Sequence, residues 1–125
     1  MKIEFFEDLI AWQKGRELTK AIYLLTEAGA LSRGFALRDQ MPRAAVSIMS
    51  NIAEGFERGS TSEFHQFIVI AKGSSAELRS QLYVTLDVAY ITHADFDKIY
   101  AQALEVSKGL GGLKAAIKKR KEGTR

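Results

Sequence analysis

The sequence predicts an all-α protein, an antiparallel up-down-up-down four-helix bundle in one domain. Apolar residues recur in steps of three and four along four long segments, as on one face of an α-helix. Short segments separate these four runs, and short connections join antiparallel neighbours in a bundle. No segment alternates apolar and polar residues as a strand does. A chain of 125 residues fits one domain with a core of its own.

Helix one is predicted from Glu7 to about Ala28. Its apolar face comprises Leu9, Trp12, Gly15, Leu18, Ile22 and Leu25. At this spacing Trp12 is typical of a core anchor, and Gly15 allows a neighbouring helix to approach closely. Gly29 offers a C-terminal stop, after which the chain forms a short loop.

Helix two is predicted from about Leu37 or Asp39 to Arg58, and its start has two alternatives. If Asp39 is the N-cap, Pro42 falls in the first turn, where its missing N–H costs little. If the helix starts earlier, we expect a kink at Pro42. Gly59 ends the helix.

Helix three is predicted from Thr61 to about Ile91. Ser60 and Glu63 form the pattern of a capping box at its start. Its seam comprises Phe64, Ile68, Ala71, Ser75, Leu78, Leu82, Thr85 and Ala89. Gly73, followed by further small residues, is expected to allow close helix approach.

Helix four is predicted to start at a Thr92 cap. Its apolar seam comprises Phe96, Ile99, Ala103, Val106, Leu110, Leu113 and Ile117. Three glycines, Gly109, Gly111 and Gly112, weaken a helix by roughly 1 kcal/mol each relative to alanine. We therefore expect a basic and frayed C-terminal tail from about Lys118.

The segment Gln40–Arg58 contains two stripes at helical spacing. The apolar stripe comprises Met41, Ala45, Ile48, Ile52 and Gly55, and the polar row comprises Arg43, Ser47, Asn51, Glu54 and Arg58. Short hydrogen-bonding groups in this row indicate close contact with another surface. Ser47, Asn51, Glu54 and Gly55 are therefore candidates either for specifying packing between helices or for sealing a subunit interface. Glu54 has three candidate partners: Arg58, one turn later; a residue of helix three; and a neighbouring subunit.

Charge is unevenly distributed along the chain. The formal net charge is +3 at pH 7, but the segment from Lys108 to Arg125 has seven basic residues and one acid, which gives +6. The preceding residues carry 11 basic and 14 acidic side chains, or −3. A basic tail on a mildly acidic body points to polyanions, although basic side chains also complement the C-terminal end of a helix dipole.

Several classes of chemistry lack the residues they need. The chain has no cysteine, and its two histidines, His65 and His93, follow no glutamate by three residues, which argues against zinc and di-iron sites. No serine has an evident His and acid partner, so we expect no catalytic residue, metal or cofactor. The first residues, MKIEFFEDLI, do not resemble a signal peptide, and no long apolar run predicts a membrane span. We expect a cytoplasmic protein.

The motifs RAAVSIMSNIAEGFERGSTSEF and AKGSSAEL resemble the four-helix-bundle family of proteins encoded in 23S rRNA intervening sequences. They are also similar to the related accessory protein of diversity-generating retroelements. The likeness extends from about Phe6 to Ile117, with departures at Pro42 and Met49. It implies a homo-oligomer, most simply the ring-like homopentamer of similar proteins, that accompanies RNA or DNA and can serve a protein partner such as a reverse transcriptase.

A phosphate-binding surface is the functional site that the basic residues predict. Its candidates are Arg43, Arg58, Lys72, Arg79, Lys114, Lys118, Lys119, Arg120 and Lys121. Because the chain has no zinc finger, recognition helix or aromatic sheet motif, binding is expected to be directed to the backbone with little sequence specificity. The alternative is a protein-interaction adaptor that docks a partner without binding nucleic acid.

Overall fold

A computed structural model describes residues 3–123, with side chains from residue 3 to residue 120. Four α-helices occupy most of this range: α1 (Ile10–Thr26), α2 (Phe35–Glu57), α3 (Thr61–Asp87) and α4 (His93–Gly123). Short 3-10 segments, Phe6–Asp8 and Gly29–Arg33, precede α1 and α2. Residues 3–123 contain no strand.

Neighbouring helices run antiparallel. Gln40, near the start of α2, lies beside Gln81, near the end of α3, whereas Gly55 at the end of α2 lies against Phe64 at the start of α3. Cross-contacts between α3 and α4 and between α1 and α4 have the same reversed order. The α1 helix also packs on α2, which closes the bundle. The predicted all-α, up-down-up-down four-helix bundle is confirmed.

The apolar stripe of α2 lies at the centre of the core. Its five members, Met41, Ala45, Ile48, Ile52 and Gly55, are all buried, as their spacing predicts. They pack among buried residues of the other three helices, including Leu18, Ile22, Ile68, Leu78, Leu82, Val106 and Leu110. A Cβ at Gly15 would lie 3.4 Å from Cγ of Met49, so the predicted close approach of α1 and α2 is confirmed.

The α2 helix begins at Phe35, so of the two predicted alternatives the earlier start is correct and Asp39 is not the N-cap. The N-cap is Gly34, which has no side chain to cap the helix but whose carbonyl accepts from the N–H of Arg38 at 2.9 Å. A Cβ at Gly34 would lie 2.5 Å from the ring of Tyr90, so this start is fixed by a tertiary contact. Pro42 is buried inside the helix and cannot donate to the carbonyl four residues earlier, which makes it the expected site of a kink.

The predicted caps of α3 and α4 are confirmed. The Ser60 hydroxyl accepts from the N–H of Glu63 at 3.1 Å, and the Thr92 hydroxyl accepts from the N–H of Asp95 at 3.1 Å. Each bond satisfies one of the donors that a helix N-terminus leaves unpaired.

The α3 helix ends at Asp87, four residues before the predicted Ile91. Ala89 adopts a left-handed conformation with φ of 60°. The N–H of Tyr90 then donates to the carbonyl of Thr85 at 2.9 Å, which is the long bond of a Schellman motif. Because Ala89 continues the apolar spacing of α3, the sequence pattern does not indicate that the helix ends before this residue.

Two predictions about glycines fare differently in the structure. Gly59, with φ of 82°, follows the C-cap of α2 as predicted. Gly73 itself contacts no other helix, since a Cβ built there meets no atom within 4 Å, but the small residues after it do allow close approach, because the Ser74 hydroxyl lies 2.9 Å from that of Ser47. The glycines of α4 do not interrupt it, since the helix continues to Gly123.

Candidate nucleic-acid interface

The polar row lies on the side of α2 that borders α3. The Ser47 hydroxyl is 2.9 Å from the Ser74 hydroxyl, which joins the two helices. The Asn51 amide donates to the carbonyl of Ser47 at 2.8 Å and to its hydroxyl at 3.1 Å, both within α2. Ser47 therefore specifies helix packing inside one subunit. Asn51 is half-buried, and its carbonyl oxygen accepts no hydrogen bond from the described residues.

The end of the polar row packs within the subunit. A Cβ at Gly55 would lie 2.6 Å from Cβ of Phe67, so this glycine serves contact between α2 and α3. Arg58 pairs with Glu63 at 3.7 Å, and its guanidinium lies 5.1 Å from the centre of the Phe67 ring. The ion-pair partner of Arg58 is thus Glu63, across the turn between α2 and α3. Glu54 is exposed and forms no ion pair within the described part of the chain.

An outer stripe of α3 beside the polar row is exposed and carries little charge. It comprises Gln66, Ile70, Gly73, Glu77, Ser80 and Val84, which repeat in the steps of four and three that usually mark a buried face. The exposed fractions are 52% for Ile70 and 44% for Val84, and Val46 of α2 adds a further 40% exposed side chain. Glu77 is the one charged member. Such a face is typical of a contact with another chain.

The nine basic candidates are divided among separate parts of the bundle. Arg43 is exposed on α2, one turn before Ser47, and Arg58 lies at the turn into α3. Arg120 lines a cavity at one end of the bundle, and Lys119 is exposed on α4. The side chain of Lys121 lies outside the described residues.

Three of the candidate lysines lie along the seam between α3 and α4. The ammonium of Lys72 lies 3.9 Å from the position of a Cβ at Gly111. Lys114 and Lys118 follow Gly111 by one and two helical turns on the same side of α4. Lys72, Lys114 and Lys118 therefore form a basic band. Arg79 continues it in the opposite direction, two turns after Lys72 on α3.

Beyond Arg79 the same seam ends in an aromatic cluster of Tyr83, Phe96 and Tyr100. The ring centres lie 5.0 to 5.1 Å apart in tilted and edge-to-face arrangements. Interaction between the hydroxyls of Tyr83 and Tyr100 raises the pKa of Tyr83 and lowers that of Tyr100, with Arg79 lowering the Tyr100 pKa further. This cluster was not predicted from the sequence. Its members come from two helices, and the spacing of residues along one helix does not show which of them lie beside residues of another.

No alternative site is evident in the described range. Between residues 3 and 120 no three His, Asp or Glu side chains stand close enough to hold a metal ion. His65 is half-buried and His93 is exposed at the first position of α4. None of the helices within residues 3–123 combines the length and apolar character needed to cross a bilayer.

Comparisons with known proteins agree with this architecture. The family model for the 23S rRNA-intervening sequence protein matches residues 7–112. A solved structure from Bacteroides thetaiotaomicron, described as a protein of unknown function from the S23 ribosomal protein family, superposes with a TM-score of 0.78 at 22% identity. The match covers 85% of this chain and 96% of that one, and it shows the shared fold. No curated protein matches the chain. On the extent of the family match, the chain belongs to the 23S rRNA-intervening sequence protein family.

Proposed function

We propose that this protein is a non-enzymatic, cytoplasmic, homo-oligomeric scaffold that binds the backbone of RNA or DNA with little sequence specificity. The observation that carries the proposal is that a basic surface and a weakly charged surface lie on different sides of the bundle. Basic side chains line the α3/α4 seam, whereas the weakly charged stripe and the polar row lie on the α2/α3 side. One surface is thus available for polyanions while the other contacts a second subunit.

Binding to phosphates is supported by the charge of the seam. Lys114 and Lys118 lie on consecutive turns of α4, Lys72 lies across the seam on α3, and the segment from Lys108 to Arg125 carries a net +6. Each phosphate neutralised releases counterions, so several such contacts yield affinity that falls steeply with salt. Because lysine is a point-like cation on a flexible stem, this arrangement favours contact with phosphates over reading of bases.

Self-association is supported by the outer stripe of α3. Ile70 and Val84 expose apolar surface on the same stripe as Gly73, where a second helix would meet no side chain. The free carbonyl oxygen of Asn51 offers an acceptor at the edge of the same face. The homopentamer of similar proteins is the assembly we propose, with these faces between subunits and the basic bands outward.

A salt titration with paired variants tests the binding. Fluorescence anisotropy of labelled single-stranded RNA and DNA is measured with the wild-type protein and with Lys72→Gln/Lys114→Gln. The control is Lys20→Gln/Lys98→Gln, which removes the same charge from exposed positions outside the band. We expect the band variant to reduce the slope of log affinity against log salt by about 0.7 per lysine, and the control to change it little.

Two outcomes would contradict the proposal. Absence of binding at low salt by the wild-type protein would exclude the nucleic-acid function. Equal losses in both double variants would show that only net charge matters and that the basic band is not a site.

The outer stripe of α3 also favours a second candidate, a protein-interaction adaptor. Its spacing fits a partner helix as well as it fits a second copy. The partner would be a protein, for example a reverse transcriptase, as the resemblance to the retroelement accessory protein implies. A monomer in solution that binds no nucleic acid would favour this function over the first.

A further inference from the structure

We propose that the aromatic cluster stacks the bases of a single strand whose phosphates follow Arg79 and the basic band, so that the protein selects single-stranded over duplex nucleic acid. This inference rests on the proposed nucleic-acid function and names its substrate class. It commits Tyr83 and Tyr100 to base contact, with the buried Phe96 packed behind them, a role beyond that of the lysines.

The aromatic cluster offers ring surface to solvent chiefly through Tyr83, since Phe96 is only 9% exposed and packs beneath the tyrosines. Tyr83 is 49% exposed although it contacts both Phe96 and Tyr100, and the neighbouring Leu104 is 37% exposed. Together with Asp97 and Ala101 these residues line a shallow surface groove. Rings held against each other lose little further freedom when a base stacks on them. Base–aromatic stacking tolerates any sequence because every base has a π-face.

The cluster and the band are continuous along α4. Tyr100, Leu104 and Lys108 follow each other at steps of four, and Gly111, Lys114 and Lys118 continue at steps of three, three and four. The distance from Tyr100 to Lys118 is roughly 27 Å at ~1.5 Å per residue. That length matches about eight phosphates at the ~3.4 Å spacing of a stacked strand.

The arrangement favours a single strand over two other ligands. Bases in a duplex are paired and stacked on each other, so their faces cannot reach Tyr83 without unpairing. A proline-rich peptide also packs on tyrosines, but it gives no partner to the cations that run from Arg79 to Lys118. Asp97, on the edge of the groove, repels phosphates and thus favours a base at that end and the backbone at the other.

Replacing the ring of Tyr83 distinguishes the contribution of base stacking to binding from that of charge. Tyr83→Leu removes the π-face but keeps an apolar side chain with good helix propensity. Tyr83→Phe retains the ring, and Tyr23→Leu is the matched control because Tyr23 is 46% exposed on α1. The probes are a labelled oligothymidylate of about twelve nucleotides, within the usual range of site sizes, an abasic oligomer of equal length and the corresponding duplex.

For the wild-type protein we expect tighter binding of oligothymidylate than of the abasic oligomer or the duplex. Tyr83→Leu should weaken oligothymidylate binding by about 5- to 150-fold, the usual cost of losing one stacked base, and leave abasic binding unchanged. Tyr83→Phe and Tyr23→Leu should bind as the wild type does.

Three results would overturn the inference. Unchanged oligothymidylate binding by Tyr83→Leu would remove the stacking role but leave phosphate binding, and hence the proposed function, in place. Duplex binding as tight as single-strand binding would remove the selectivity. Binding of a polyproline peptide at Tyr83 without oligonucleotide binding would assign the cluster to a protein partner and would also end the proposed function.

Photocrosslinking of the unmodified chain to an oligomer containing 5-iododeoxyuridine gives a second, independent readout. We expect the crosslink in the peptides that contain Tyr83 or Tyr100. Crosslinks confined to other peptides would contradict base stacking at this cluster, whatever the folding of the variants.

Discussion

The substitution Gly55→Ala tests the packing of α2 against α3. A methyl group at Gly55 would lie 2.6 Å from Cβ of Phe67 and 3.1 Å from a ring carbon of Phe64. Carbon atoms pack best at about 3.5–4.0 Å, so the two helices would have to separate by about 1 Å. Cβ of Phe67 is fixed by the backbone of α3 and cannot rotate away.

Two opposing contributions to the free energy of unfolding set the size of the expected change. Replacing a helical glycine by alanine stabilises by roughly 1 kcal/mol when nothing obstructs the methyl group. Overpacking a well-filled site costs about 1–3 kcal/mol, and a Cβ–Cβ clash lies at the upper end of that range. We therefore expect Gly55→Ala to lower the free energy of unfolding by about 1–2 kcal/mol.

Gly112→Ala is the matched control, because Gly112 is also helical and a Cβ there meets no atom within 4 Å. It should raise the free energy of unfolding by about 1 kcal/mol, so the two variants should differ by about 2–3 kcal/mol. Urea unfolding followed by circular dichroism measures both. Protomer concentration must be held equal, since association contributes to the apparent stability.

Equal or greater stability of Gly55→Ala than of the wild type would refute the reasoning. It would mean that α2 and α3 do not approach as closely as Gly55 and Phe67 indicate. The hydrogen bond between Ser47 and Ser74, which depends on the same approach, would then be in doubt as well.

Three further predictions concern assembly, the end of α3 and the tail. Asn51→Leu should disturb assembly more than helix content, as judged by solution mass and circular dichroism; unchanged mass with intact helicity would count against an interfacial role for the polar row. Ala89→Gly should raise the free energy of unfolding by about 0.5–1 kcal/mol, because glycine removes the left-handed strain at φ of 60°, and a loss of stability in urea would argue against that conformation. In hydrogen exchange, amides after Lys118 should exchange faster than those at the centre of α4, and equal protection would show that the tail does not fray.

The core was predictable from the sequence because helical periodicity is local. The buried stripe from Met41 to Gly55 and the caps at Ser60 and Thr92 depend on residues within one or two turns of each other. Such patterns need no knowledge of the tertiary structure.

The structural features that could not be predicted from the sequence depend on contacts between distant segments. The start of α2 is set by the contact between Gly34 and the ring of Tyr90. The early end of α3 is set by Ala89, which adopts the left-handed conformation that favours glycine. The choice of Glu63 as partner of Arg58 depends on the turn at Gly59. Spacing along one helix carries no information about any of these contacts.

The candidate site shows the same division. Periodicity predicted the lysines as surface residues, but only the register of α3 against α4 shows that Lys72 lies beside Gly111, one turn from Lys114. That register also joins Tyr83 to Tyr100. The tertiary structure therefore converts scattered basic residues into one band that ends in an aromatic cluster.

Native mass spectrometry, alone and with the oligothymidylate of about twelve nucleotides, tests the central claim most directly. We predict one homo-oligomeric species, the pentamer, that takes up the oligonucleotide without a change in subunit number. A monomer that carries no oligonucleotide at low salt would contradict both the assembly and the nucleic-acid function.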